Sequence, residues 1–370
     1  MRITMTSMRP FTGWLTVAVF LLFGAGWMTH LNYAMALSLF VWLFLVIVWV
    51  AFGVVHEAET LAEMLGEPLG TLVLTLSIVV IEVVLISAVM LASQGNATLA
   101  RDTMYAVLMI VLNGVVGLGL LMGGIRHYEQ TYNLKGASAY LSVIIPLTII
   151  ALVLPNFTTS THDGTLSPVQ AVMFSLLTIG LYGIFLWLQT GRHRGYFVAP
   201  DAQPIDPKEM EHQRPEALDK KALLVHFALL LVNILPIVIL AKSMAKILDY
   251  GIDVTGAPAA LGGIVIAVLV FAPEGISALI AIRADRLTRA INLCLGAVTS
   301  TLGLTVPAVL GISLFTSHPV LLGLAPSGMV MLVSTLILSS ITFSNSRTTM
   351  LEGAVHLSLF VVFLVLVFSP

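Results

Sequence analysis

The chain has 370 residues, 58% of them hydrophobic and only 10% charged, with a formal net charge of −2 and a mean hydropathy of +1.02. A soluble domain carries about 25% charged residues, so this composition excludes an ordinary water-soluble fold and points to an all-α, polytopic membrane protein whose main partner is the lipid bilayer. The charge balance leaves no basic surface for nucleic acid, and the one cysteine, Cys294, cannot form an internal disulfide.

Apolar runs long enough to span a membrane, about 20 residues each, predict about eleven helices. They fall at 12–29, 33–53, 68–93, 102–123, 138–155, 168–190, 222–247, 258–282, 289–314, 319–342 and 351–369. The basic lead and apolar run at the start resemble a signal peptide, but charge placement favours a retained helix. With the N-terminus in the cytoplasm, 14 of the 17 Lys and Arg fall inside; Arg101, Lys242 and Lys246 do not. That is the bias the positive-inside rule expects. It puts the C-terminus outside and suits a multi-pass protein of a bacterial inner membrane.

Residues 191–221 are polar and carry Pro200, Pro204, Pro207 and Pro215, which reads as a cytoplasmic linker. It separates two five-helix halves, 33–190 and 222–370, with 1–32 as an extra N-terminal helix. The halves share landmarks. Gly66-Glu67-Pro68 and Gly256-Ala257-Pro258 are offset by 190; Glu82 and Glu274 by 192; Asn113 and Ser300 by 187. A nearly constant offset signals an internal repeat. In the topology above the two copies run in opposite directions, so the repeat is inverted, an architecture that places a transport site at the bilayer midplane.

Glu82 and Glu274 are the chemical centre of this reading. Each sits deep in an apolar run, where a carboxylate costs about 2.5–3.5 kcal/mol on insertion scales and usually marks an ion or proton path. Thr71, Thr75 and Ser93 share a helical face with Glu82, and Gly263, Ala267, Ala278 and Ala281 share one with Glu274, with Ser277 a turn away. Pro273 removes the donor for the Leu269 carbonyl, which leaves a backbone oxygen for a hard cation. One divalent cation neutralises two carboxylates; protons do so in its absence. Competition for the same oxygens is the minimum requirement for cation–proton exchange, with Glu82 and Glu274 as both the cation-binding and the proton-coupling groups.

Lesser features carry less. His56-Glu57 lacks the second histidine of a zinc-protease motif, since Thr60 stands there. Glu57, Glu59, Glu63 and Glu67 form an acidic segment that either gathers cations or is a solvated helix end. Glu352 and His356, one turn apart, read as a structural pair more readily than as a proton relay. Asn96 and Asn156 each begin a short glycosylation-type triplet.

The segments GEPLGTLVLTLSIVVIEVVLISAVM and APEGISALIAIRADRLTRAINLCLGAVTSTLGLTVP resemble the two alpha-repeats of the calcium/cation antiporter superfamily, and within it the bacterial calcium–proton antiporters of the ChaA type. The resemblance covers nearly the whole chain. It implies an eleven-helix exchanger whose repeat glutamates, here Glu82 and Glu274, bind the cation, with Asn113, Ser300 and Thr301 lining the site. The chain departs from the vacuolar-type GNxxE pattern: Val79, Val80 and Ile81 precede Glu82, and Ala272 and Pro273 precede Glu274. The resemblance does not fix the ion, because calcium, sodium and potassium exchange are all found among such proteins.

The expectation is therefore a secondary active transporter that exchanges Ca2+, or else Na+ or K+, for H+ by alternating access. No enzyme activity and no cofactor are expected. The rival reading is a passive cation channel, which needs a continuous pore and usually rings of ligands from several subunits.

Overall fold

The computed structural model describes residues 2–66, 69–92, 97–161, 164–200, 219–316 and 320–369. Glu67, Pro68, Ser93, Asn96 and most of the linker, with Pro204, Pro207 and Pro215, lie outside the described residues. Eleven long helices carry the described chain. They are α1 (Arg2–Thr29), α2 (Tyr33–Leu65), α3 (Leu69–Ala92), α4 (Leu99–His127), α5 (Leu134–Phe157), α6 (Pro168–Thr190), α7 (Lys220–Thr255), α8 (Ala260–Arg283), α9 (Leu287–Thr316), α10 (Pro326–Thr342) and α11 (Met350–Phe368). Helix starts follow local chemistry. The Asn32, Asn133 and Asp219 side chains cap α2, α5 and α7, while Ser167 with Gln170 and Thr349 with Glu352 form capping boxes at α6 and α11.

Among the described residues ten helices are long and apolar enough to cross a membrane; α10 is apolar but has only 17 residues. Its start is later than the apolar run predicts. Residues 320–325 are irregular, because their backbone is bonded elsewhere: Leu321 N donates to Ala97 O (2.9 Å) and Leu324 N to Leu152 O (2.9 Å). Pro326 then opens the helix, where its missing N–H costs nothing. In contrast, α2 and α7 outlast their apolar runs, at 33 and 36 residues.

Two compact units divide the chain, residues 1–95 with 203–257 and residues 96–202 with 258–370. They do not coincide with the two sequence halves, since the first unit takes α1, α2 and α3 from before the linker and α7 from after it. In that unit α2 lies along α7, and α1 and α3 pack on both. Trp14 Nε1 donates to Val232 O (3.0 Å), and Arg9 donates to Phe52 O (3.0 Å) while sitting 5.3 Å from the Trp49 ring. Glu57 is buried, its Oε2 2.7 Å from His226 Nδ1. That sets it apart from Glu59 and Glu63, which are exposed as a solvated helix end requires.

The second unit contains α4–α6 and α8–α11, and its connections gather at two ends. At one end β1 (Gln130–Thr131) pairs antiparallel with β2 (Arg347–Thr348). Gln130 donates there to Ile282 O (3.1 Å) and Asp285 (2.7 Å), and Asn133 and Asn292 hold the 195–198 backbone. At the other end Asn156 donates to Leu324 O (2.7 Å) and Arg101 to Gly323 O (3.0 Å). All Lys and Arg of this unit except Arg101 lie on helix ends and loops of the first group. The charge segregation read from the sequence is thus a property of the folded unit.

Glycine lets α4 and α11 touch backbone to backbone, as small residues do in membrane helix pairs. A Cβ on Gly353 would collide with Leu121 N, and one on Gly117 would stand 2.9 Å from Leu357 N. Gly353→Leu is expected to cost about 1–3 kcal/mol through overpacking, read as a lowered thermal midpoint in detergent. Gly180→Ala, where a Cβ meets nothing within 4 Å, is expected to raise the midpoint slightly, because alanine is the better helix former.

Candidate cation site

Both glutamates lie mid-helix and are buried. Glu82 is the fourteenth residue of the 24-residue α3 and 1% exposed; Glu274 is the fifteenth of the 24-residue α8 and 5% exposed. Glu82 belongs to the first compact unit and Glu274 to the second. Near Glu82, Thr71 and Thr75 are half-buried, and the buried Ser77 donates back to Val73 O at 2.7 Å.

The face of α8 that carries Glu274 is covered. Gly263, Ala267, Ala278 and Ala281 are all buried, Leu269 is 1% exposed and Ser277 is half-buried. A Cβ on Gly263 would lie 2.6 Å from the Asp102 and Thr103 backbone, so α8 presses on α4 at that point. The helix continues through Pro273 from Ala260 to Arg283; the proline does not end it. Cys294 on α9 is within electrostatic reach of Glu274.

The helices that follow, α4 and α9, share a feature the sequence does not announce. Each changes from α to π geometry at its centre, over Met109–Val115 and Thr301–Thr305. In the first, Val116 N bonds to Val111 O; in the second, Val306 N bonds to Thr301 O. Single π turns gather at functional sites, because the widened turn displaces side chains and backbone from the α register. The two segments begin 192 residues apart, the offset that separates Glu82 from Glu274. In this register Asn113 corresponds to Thr305, not to Ser300 as the small-residue pattern suggested. Thr305 is fully buried and was missed. The matching offset was a signal already present in the sequence.

Asn113, Ser300 and Thr301 are 0%, 5% and 4% exposed. The Ser300 hydroxyl donates to Ala297 O at 2.9 Å, within its own helix. Asn113 is held from two sides, with Nδ2 2.7 Å from Thr335 Oγ1 and Oδ1 3.0 Å from His356 Nδ1. His356 Nε2 is in turn 3.0 Å from Thr342 Oγ1. His356 thus directs these hydrogen bonds to Asn113 and Thr342, and its link to Glu352, the partner that sequence spacing suggested, is electrostatic. The Glu352 carboxylate instead accepts from the Thr349 N–H (2.9 Å) and hydroxyl (2.6 Å) as part of the cap.

The donor types suit a hard cation, for carboxylate, amide, hydroxyl and carbonyl oxygens are what Ca2+ and its relatives take. Among the described residues no three His, Cys, Asp or Glu side chains converge, so a cation held here would draw on neutral oxygens as well as carboxylates. A cavity of about 250 Å³ in the second unit opens instead beside Arg101, Asp102, Tyr105 and Phe363, and none of the candidate donors lines it.

Apolar helices of this number and length, with carboxylates buried at the centres of two of them, define a multi-pass membrane protein. The chain belongs to the sodium/calcium exchanger protein family, whose model matches residues 35–191 and 225–369. It is 39% identical over 319 residues to the sodium-potassium/proton antiporter ChaA of Escherichia coli, a match that covers 86% of each chain. It is 24% identical over 252 residues to the Ca(2+)/H(+) antiporter ChaA of Bacillus subtilis, covering 67% of this chain and 69% of that one. Among solved structures, native YfkE superposes with a TM-score of 0.71 at 19% identity, covering 97% of this chain and all of the other, which shows a shared fold. The antiporter resemblance read from the repeat segments therefore holds.

Cys294 reports on this region. It is 1% exposed and packed beside the Glu274 helix, so maleimide is expected to leave it unmodified in the native protein and to label it fully in denaturant. Rapid native labelling, followed by mass spectrometry, would reveal a water path to this face of α8.

Proposed function

We propose that the protein is a proton-driven cation antiporter of a bacterial inner membrane, with its N-terminus in the cytoplasm and its C-terminus outside. Ca2+ is its main cargo, and Glu82 and Glu274 together form the exchange site. The observation that carries this reading is the burial of both carboxylates at equivalent positions of two 24-residue apolar helices, 192 residues apart. Each must be neutralised to be tolerated there. A divalent cation neutralises both at once, with Asn113, Ser300, Thr301, Ser277 and the Leu269 carbonyl as further oxygen donors. Two protons neutralise them in its absence.

Exchange follows from that arithmetic. The protein presents the site to one face of the membrane and then to the other. Reorientation with two bare carboxylates is too costly, so each passage carries either the cation or protons. Protons bound from outside displace the cation, and the protonated carboxyls return and release H+ to the cytoplasm. A second reading, Na+ or K+ against H+, is favoured by the name of the 39% identical relative. With a monovalent ion, one carboxyl keeps its proton while the other holds the ion.

Inverted membrane vesicles with an imposed pH gradient test this. Ca2+, Na+ and K+ are supplied in turn, and collapse of the gradient is followed with a pH-sensitive dye. Wild-type protein is expected to dissipate the gradient on Ca2+ addition, and Glu82→Gln and Glu274→Gln to abolish the response. Acidifying the cation side is expected to raise the apparent KM, since protons compete there for the same oxygens. A response to Na+ or K+ alone selects the second reading. Cation flux that ignores the pH gradient would favour a channel.

A further inference from the structure

Thr335, Asn113, His356 and Thr342 form one buried chain of hydrogen bonds in the second unit, with no member more than 3% exposed. Its direction can be worked out. The Thr335 hydroxyl donates to Met331 O at 2.9 Å, so at Asn113 it must accept, and the group facing it is the amide nitrogen. The Asn113 carbonyl oxygen therefore faces His356 Nδ1, which must carry the imidazole proton. Nε2 is left as an acceptor for the Thr342 hydroxyl. Each bond points one way, from Thr342 through His356 and Asn113 to Thr335 and the Met331 carbonyl.

Such a chain is a poor source of adhesion. Hydrogen bonds between membrane helices average about 0.6 kcal/mol, and the Gly117 and Gly353 contacts already fasten α11 to α4. Apolar side chains would pack these helices without burying four polar groups that each need a partner. What the chain supplies is orientation. The Asn113 amide cannot turn over without breaking bonds on both sides. Its carbonyl oxygen has two lone pairs, and His356 takes one. Asn113 sits on the π segment that packs against α8, the helix of Glu274, and a Cβ on Gly275 would be 3.6 Å from Val115.

We propose that His356 is a positioning residue for cation binding, its Nδ1–H fixing the Asn113 carbonyl so that the remaining lone pair serves the transported ion. This rests on Asn113 being a cation donor, as proposed above. Groups that orient a metal ligand from behind typically change affinity by about 10–100-fold when removed.

The test is the KM and kcat of exchange for Ca2+, Na+ and K+ in reconstituted vesicles, alongside thermal midpoints in detergent. His356→Leu is expected to raise the KM of the transported ion by about 10–100-fold while kcat changes far less. His356→Asn, which keeps an N–H near the Nδ1 position, is expected to restore KM even though it loses Thr342. Thr342→Val removes the other bond of the His356 ring, the one to α10, without freeing Asn113, and is expected to leave KM unchanged. Asn113→Ala combined with His356→Leu is expected to be no worse than Asn113→Ala alone. Additive effects would overturn the proposal, as would a KM shift that follows the thermal midpoint across all variants. If His356→Leu does not fold, a raised KM in a stable His356→Asn overturns it equally. Glu82→Gln and Glu274→Gln separate the two levels. If both are inactive while Asn113→Ala keeps the wild-type KM, only the positioning role falls. If both transport normally, the exchange site falls and takes this role with it.

Discussion

A carboxylate inside a membrane must be neutralised, and the rest of this structure answers to that constraint. Left charged, the group costs several kcal/mol by any scale. The nearest basic residue on either glutamate helix is Arg283 at the end of α8, nine residues from Glu274. At 1.5 Å per residue that is about 14 Å away, too far to compensate directly. No Lys or Arg of the same helix therefore stands beside either carboxylate.

The scaffold around Glu274 favours fixed geometry over adhesive strength. Gly117, Gly124, Gly263 and Gly353 bring backbones within contact distance. Side chains held that close have few alternatives, so a polar group placed among them keeps one orientation. The π turns act on the same ground. They put Asn113 and Thr305 at equivalent places in α4 and α9, outside the α-helical register that small-residue spacing would follow.

Much of this was legible in the sequence, because the membrane makes apolar length and charge position nearly sufficient. The eleven helices and both glutamates come from those signals, and the antiporter resemblance comes from the two repeat segments. What was not legible depends on contacts rather than pattern. The pairing of Asn113 with Ser300 followed residue type, although the 192-residue offset of the two glutamates leads from Asn113 to Thr305; the π turns themselves carry no composition that announces them. Glu352 and His356 stand one turn apart, yet the cap at Thr349 claims the glutamate and Asn113 claims the histidine. The late start of α10 is decided by backbone partners at Ala97 and Leu152, over 150 residues away in sequence. The compact units cut across the sequence halves because α7 lies along α2, which no local signal records.

The lengths of α2 and α7 have a mechanical meaning. At 36 residues α7 is about 54 Å long, against about 30 Å of hydrocarbon. The difference must be taken up by steep tilt or by turns standing in the headgroup layers and the water. Gly13 of α1 meets Pro236, the one proline inside α7, so the point where a proline weakens this rod is braced from the side. Bound to α2 along its length, such a rod passes a push at one aqueous rim to the opposite rim as a rigid beam would.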